Sequence, residues 1–94
     1  MGYLGSKAGA GVYQAIIALM PPHDTYVELF AGSAAVLLRK PPARSSYAVD
    51  LDAGALAALP ADLPGLARVC GDALAFLDGF AWGDAGRVLI YADP

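Results

Sequence analysis

The sequence predicts an α/β domain built on a mostly parallel sheet of about four strands, with helices on both faces. Short runs rich in β-branched and aromatic residues alternate with segments of helical spacing, giving β-α-β-α-β-α-β after one leading helix. An acidic or glycine-rich stretch closes each of those runs. Crossover connections of this kind point the strands the same way and gather the closing residues on one rim, where such sheets bind ligands.

The leading helix is expected over Ala8 to Met20, where Val12, Ile16, Leu19 and Met20 recur at helical spacing. Pro21-Pro22 stops it, because proline lacks the amide donor and restricts the residue before it. Thr25 to Phe30 reads as the first strand, and Gly32 marks the turn into a helix that ends before Pro41-Pro42. Ser46 to Asp50 is the second strand and Ala53 to Leu59 the next helix. Ala67 to Cys70 is the third strand, Ala73 to Leu77 a short helix, and Arg87 to Ala92 the fourth strand. Ala61 to Gly65 and Asp78 to Gly86 are the expected loops, each rich in Pro, Gly or Asp.

A chain of 94 residues is read as one domain, residues 1–94, burying about two-thirds of the surface of its extended form. With 57% hydrophobic and 16% charged residues, the composition argues against disorder and for a folded α/β domain. No apolar run approaches the ~18 residues of a membrane span, and Met1 is not followed by a basic-then-apolar leader. A cytoplasmic location without a membrane partner is therefore expected. One cysteine, Cys70, and one histidine, His23, provide neither an internal disulfide nor a conventional zinc cage, so no metal is expected. The net charge of −3 is the wrong sign for gripping nucleic-acid phosphates unaided.

Glu28, Asp50, Asp72 and Asp93 fall at or just after the ends of the four strands and would share one rim. A glycine-rich turn after the first strand can bring backbone amides to a ligand, and a carboxylate ending the second can accept both ribose hydroxyls. Taken singly, each Asp reads equally as a helix N-cap and Gly32 as an ordinary helix-entry turn. The turn lacks the G-x-G-x-x-G spacing that serves a pyrophosphate. S-adenosylmethionine suits the pattern better: it has an adenosine for Asp50 and Asp72, no phosphate, and a sulfonium and an amino group matched to an acidic pocket.

Gly2-Tyr3-Leu4-Gly5-Ser6-Lys7, the Glu28 to Val36 run, Asp50-Leu51-Asp52, Gly71-Asp72-Ala73 and Asp93-Pro94 occur in one order along the chain. That order is similar to adenine-specific, N6-directed DNA methyltransferases of the deoxyadenosine-methylase type, and the resemblance spans the whole chain. It implies a truncated Rossmann-like S-adenosylmethionine-dependent fold. It also implies that Tyr3 and Lys7 contact the methionine end of the cofactor, which Glu28, Phe30, Ala31, Gly32 and Ser33 shape. Asp50 would hold the ribose, Leu51 pack on the adenine ring and Asp72 contact the adenine. Asp93 would be a wall of the cofactor site and, with the carbonyl of Pro94, the acceptor for the target amine. Double-stranded DNA would be held by regions outside these residues, in a phage, restriction-modification or regulatory setting that the sequence leaves open.

Two departures stand out. Ala34 occupies the second glycine of the family's Phe-x-Gly-x-Gly loop, and the Asp-Pro-Pro-Tyr signature is present only as Asp93-Pro94. These 94 residues are thus expected to hold the cofactor half without turning over on their own. An RNA methyltransferase of the same fold and a non-catalytic nucleoside-binding module are the alternative readings. Among the remaining residues, Cys70 reads as a small buried filler and His23 as a solvated loop residue. Arg39, Lys40 and Arg44 read as a solvated basic face, Phe80 and Trp82 as cover for a core edge, and Val88 to Tyr91 as an unpaired apolar edge.

Overall fold

The computed structural model describes residues 10–93. The elements run α1 (Ala10–Ala18), β1 (Thr25–Leu29), α2 (Ala35–Arg39), β2 (Ser45–Asp50), α3 (Ala53–Ala57), β3 (Leu66–Cys70), α4 (Ala73–Gly79), a 3-10 turn (Trp82–Asp84) and β4 (Val88–Ala92). The four strands form one parallel sheet in the order β3-β2-β1-β4. This is the Rossmann-like arrangement: the chain builds outward from β1 through β2 to β3, then returns to place β4 on the other side of β1. The reversal makes the carboxyl ends of β1 and β4 the topological switch point.

Alternation along the strands divides the core into two layers. Val27, Leu29 and Val49 pack with Ala73 on one face, joined by Tyr47, Val69, Phe76, Leu77 and Val88. On the opposite face Ala48 packs with Ala31, Ala34, Leu56 and Leu59, joined by Leu37 and Leu66. The small residues allow the helices and the loop after β1 to lie close to the sheet. β1 is buried along its whole length, as expected of the strand with neighbours on both sides. β3 and β4, at the sheet edges, are half-buried or exposed.

Polar contacts fix the seams. Asp52 accepts from the amides of Gly54 and Ala55 and caps α3, while Asp72 accepts from Ala75 and caps α4. Arg68 donates from Nε to the Leu56 carbonyl and from Nη2 to those of Leu59 and Pro60, tying β3 to the end of α3. Thr25, buried at the start of β1, donates its hydroxyl to the Ala85 carbonyl at 2.7 Å. Phe80 and Trp82 do cover a core edge: Phe80 meets Tyr47 edge-on at 5.1 Å and Trp82 at 4.6 Å. Among the described residues no helix is long and apolar enough to cross a membrane, and no group of three or more His, Cys, Asp or Glu could hold a metal ion.

Candidate functional site at the carboxyl rim

Among the described residues, the loop that leaves β1 carries the least ordinary backbone. Phe30, Gly32 and Ala34 all adopt positive φ, at 53°, 52° and 53°. For a residue with a Cβ this left-handed region costs about 1–2 kcal/mol, so two of the three positions are held against their preference by the surroundings. Strain of this kind concentrates at ligand-binding turns. Ala34, expected from the sequence resemblance to stand in place of a glycine, adopts a conformation that glycine would relieve.

Internal hydrogen bonds keep the loop in place. Ala31 donates its amide to the Val49 carbonyl at 3.0 Å, Ala34 to the Ala31 carbonyl at 2.6 Å, and Gly32 to Asp50 Oδ2 at 2.8 Å. The expectation that these amides face a ligand is corrected here: those of Ala31, Gly32 and Ala34 are turned into the protein. Asp50 also accepts from the Asp52 amide through Oδ1 at 2.8 Å. The amides of Asp52 and then Gly32 hold its carboxyl below the usual carboxylate range. Asp50 is thus first a clamp between the end of β2 and the glycine turn. The Leu51 amide acts in the same direction, and the carboxylate, half-exposed on the rim, keeps acceptor capacity for one donor from outside.

Beside this loop, at the switch point, lies a polar pocket of about 130 Å³. It is lined by Glu28, Leu29 and Phe30 to Ala31, by Ser33, Ala35 and Val36, by Tyr13 of α1, and by Tyr91 and Asp93 from β4 and its end. The register explains the meeting, because Glu28 lies opposite Tyr91 and Leu29 opposite Ala92 in the parallel β1–β4 pair. Glu28 is only 4% exposed. Its Oε1 accepts from the Tyr26 hydroxyl at 2.6 Å and from the Leu37 amide at 2.9 Å. Burial raises the Glu28 carboxyl above its ordinary value, and the nearby Asp93 carboxylate pushes it the same way against those two donors. The Tyr26 hydroxyl is likewise driven far up by burial and by Glu28.

The sequence-derived set therefore divides. Glu28, Phe30, Ala31, Ser33 and Asp93 line one pocket, and Gly32 joins it to Asp50 by a hydrogen bond. Asp50, Leu51 and Asp72 share the same carboxyl rim but do not line the pocket. Leu51 is 74% exposed beside Asp50, and Asp72 performs the N-cap role that its position alone would explain. Tyr3, Lys7 and Pro94 lie outside the described residues.

Two other expectations are overturned. Cys70 is exposed, with Sγ 3.5 Å from the Leu51 carbonyl, because β3 is an edge strand and its last residue has no cover. Lys40 does not belong to a solvated basic face: the turn after α2 folds it inward over the Tyr26 ring, at 4.5 Å from the centroid. Sequence reading missed Tyr13 and Tyr26 as companions of Glu28. Tyr26 sits two residues before Glu28, on the same face of β1, and that spacing was the available signal. No protein family, curated protein or solved structure matches this chain.

Proposed function

We propose that this chain is the cofactor-binding part of an S-adenosylmethionine-dependent DNA methyltransferase acting on the N6 amine of adenine. The observation that supports the reading best is the pairing of a buried carboxyl, Glu28, with Asp93 in a polar pocket at the β1–β4 switch point. Two carboxyls so placed disfavour each other's ionisation, and a cationic ligand group would be favoured beside them. The pocket is smaller than the ~300–1,000 Å³ usual for a whole small-molecule site, so it would take one end of the cofactor. The ammonium end is the one with matching charge. The adenosine would extend along the rim over Leu51, toward the remaining acceptor capacity of Asp50.

When bound, S-adenosylmethionine supplies a methyl group made electrophilic by its sulfonium. The adenine amine is a poor nucleophile because its lone pair is delocalised into the ring. Asp93, accepting one amine proton in a hydrogen bond, and the carbonyl of Pro94, accepting the other, would localise that lone pair and aim it at the methyl. A flipped base also needs an aromatic platform, contributing about 1–3 kcal/mol. In the resembled family this is the Tyr of Asp-Pro-Pro-Tyr, of which these residues contain Asp93 and Pro94. Cytoplasmic location and double-stranded DNA as partner belong to the same proposal.

Calorimetric titration of the chain with S-adenosylmethionine tests it, with adenosine and methionine as separate ligands. Saturable binding that weakens at least about tenfold in Glu28→Gln is expected, as for loss of a charged partner. Equal affinity for adenosine and for the whole cofactor would favour a non-catalytic nucleoside-binding module. Failure of all three ligands to bind would overturn both readings.

A further inference from the structure

A second cleft lies at the opposite, amino edge of the sheet, with a volume of about 390 Å³. Its walls are two proline pairs, Pro21-Pro22 after α1 and Pro41-Pro42 after α2, with Ile17 and Met20 adding an apolar side. Lys40, His23 and Arg87 also line it, and among the described residues no carboxylate is part of the lining. Asp24, next to His23, accepts from the Arg87 amide at 2.8 Å through Oδ2 and holds that residue at the rim of the cleft.

Lys40 is the informative residue. It is 7% exposed, and a buried ammonium ordinarily faces a carboxylate. Here Nζ donates to the Pro41 carbonyl at 2.8 Å and lies 4.5 Å from the centre of the Tyr26 ring. Glu28 contributes only a favourable field from beyond that ring, and burial pushes the ammonium toward neutrality. An ammonium has three donors, so after one carbonyl and one ring face it still has capacity for an anion entering the cleft. Arg87 stands at the mouth, 68% exposed in its side chain, with Nε 3.5 Å from Asp24 Oδ2. His23 supplies a ring wall, fixed by the contact of Nδ1 with the Pro21 carbonyl at 2.8 Å.

We propose that this cleft binds a small phosphomonoester, its phosphate on Lys40 and Arg87 and its apolar body against the prolines, Ile17 and the His23 ring. The volume falls within the range of small-molecule sites, and the proline walls are stiff before any ligand arrives. The site does not rest on the methyltransferase reading: it lies at the amino ends of the strands, shares no lining residue with the Glu28–Asp93 pocket at their carboxyl ends, and meets Glu28 only through the Tyr26 ring.

The test is an amide NMR titration of the chain with phenyl phosphate, with inorganic phosphate and phenol as the two halves of the probe. Phenyl phosphate is expected to shift the amides of His23, Ala43 and Arg87 saturably and to bind more tightly than either half. Lys40→Met, which keeps the volume and removes the charge, is expected to weaken binding about tenfold or more, and Arg87→Gln about threefold. The proposal is overturned if millimolar phenyl phosphate shifts no amide around the cleft. It is equally overturned if affinity is unchanged in Lys40→Met, or in Arg87→Gln should Lys40→Met not fold.

Discussion

Replacing Asp50 with Asn probes the clamp that shapes the glycine turn. The carboxylate accepts from the Asp52 amide and from the Gly32 amide, each at 2.8 Å. Asn keeps one acceptor oxygen but turns an NH₂ toward the other donor, so one charge-assisted bond is lost and the other is weakened. Hydrogen bonds to charged groups contribute about 1.5–3 kcal/mol each. Asp50 stands half-exposed on the rim, where solvent screening reduces that value. A net loss of about 1–2 kcal/mol at neutral pH is expected, a large share of the roughly 5–10 kcal/mol available to a chain of this size. In urea this moves the midpoint down by about 1 M. The pH dependence has a definite sign. The folded Asp50 carboxyl titrates below its unfolded value of about 3.9, so its stabilisation is complete above that value and fades as pH falls through the folded one. Urea melts of wild type and Asp50→Asn should therefore differ at pH 7 and converge in acid. Coincident melts at pH 7, or a gap that persists undiminished in acid, would refute the clamp.

Glu28→Gln is expected to act oppositely on stability, because the raised Glu28 carboxyl loses stability as pH rises from about 4.3 toward its folded value. Gln retains an acceptor for Tyr26 and Leu37 without the buried charge. Thermal melts should show it at least as stable as wild type at pH 7, by about 1 kcal/mol, with no difference in acid. Gly65→Ala should destabilise by about 2–4 kcal/mol in urea melts, since Gly65 has φ +64° and a new Cβ would lie 2.7 Å from the Arg44 carbonyl oxygen. Gly71→Ala, whose Cβ would meet no atom within 4 Å, is the neutral control. Ile90 is 42% exposed on β4, a sheet-edge strand. The chain should therefore self-associate in sedimentation, and Ile90→Lys should reduce that.

Much of the fold was legible because the sequence punctuates itself. Pro21-Pro22 and Pro41-Pro42 stop two helices, and the apolar runs begin or end within a residue of the observed strands: Thr25–Leu29, Ser45–Asp50, Leu66–Cys70 and Val88–Ala92. Strand order was not contained in that alternation, since the same pattern of elements fits several parallel arrangements. The candidate site was legible to the extent that parallel strands end on one rim, which brought Glu28 and Asp93 together. Residue type alone could not separate a ligand-facing carboxylate from a capping one, and Asp72 proved to be a cap. Lys40 illustrates the same limit. A lysine beside two arginines reads as solvated, and only the course of the chain after α2 folds it over Tyr26.

The most direct measurement is an amide NMR titration of the chain with S-adenosylmethionine. Saturable shifts at Phe30 to Ala35 and at Tyr91 to Asp93, lost in Glu28→Gln, are expected if the switch-point pocket receives the cofactor. An unchanged spectrum at millimolar cofactor, or shifts confined to the amino edge around His23 and Arg87, would contradict it.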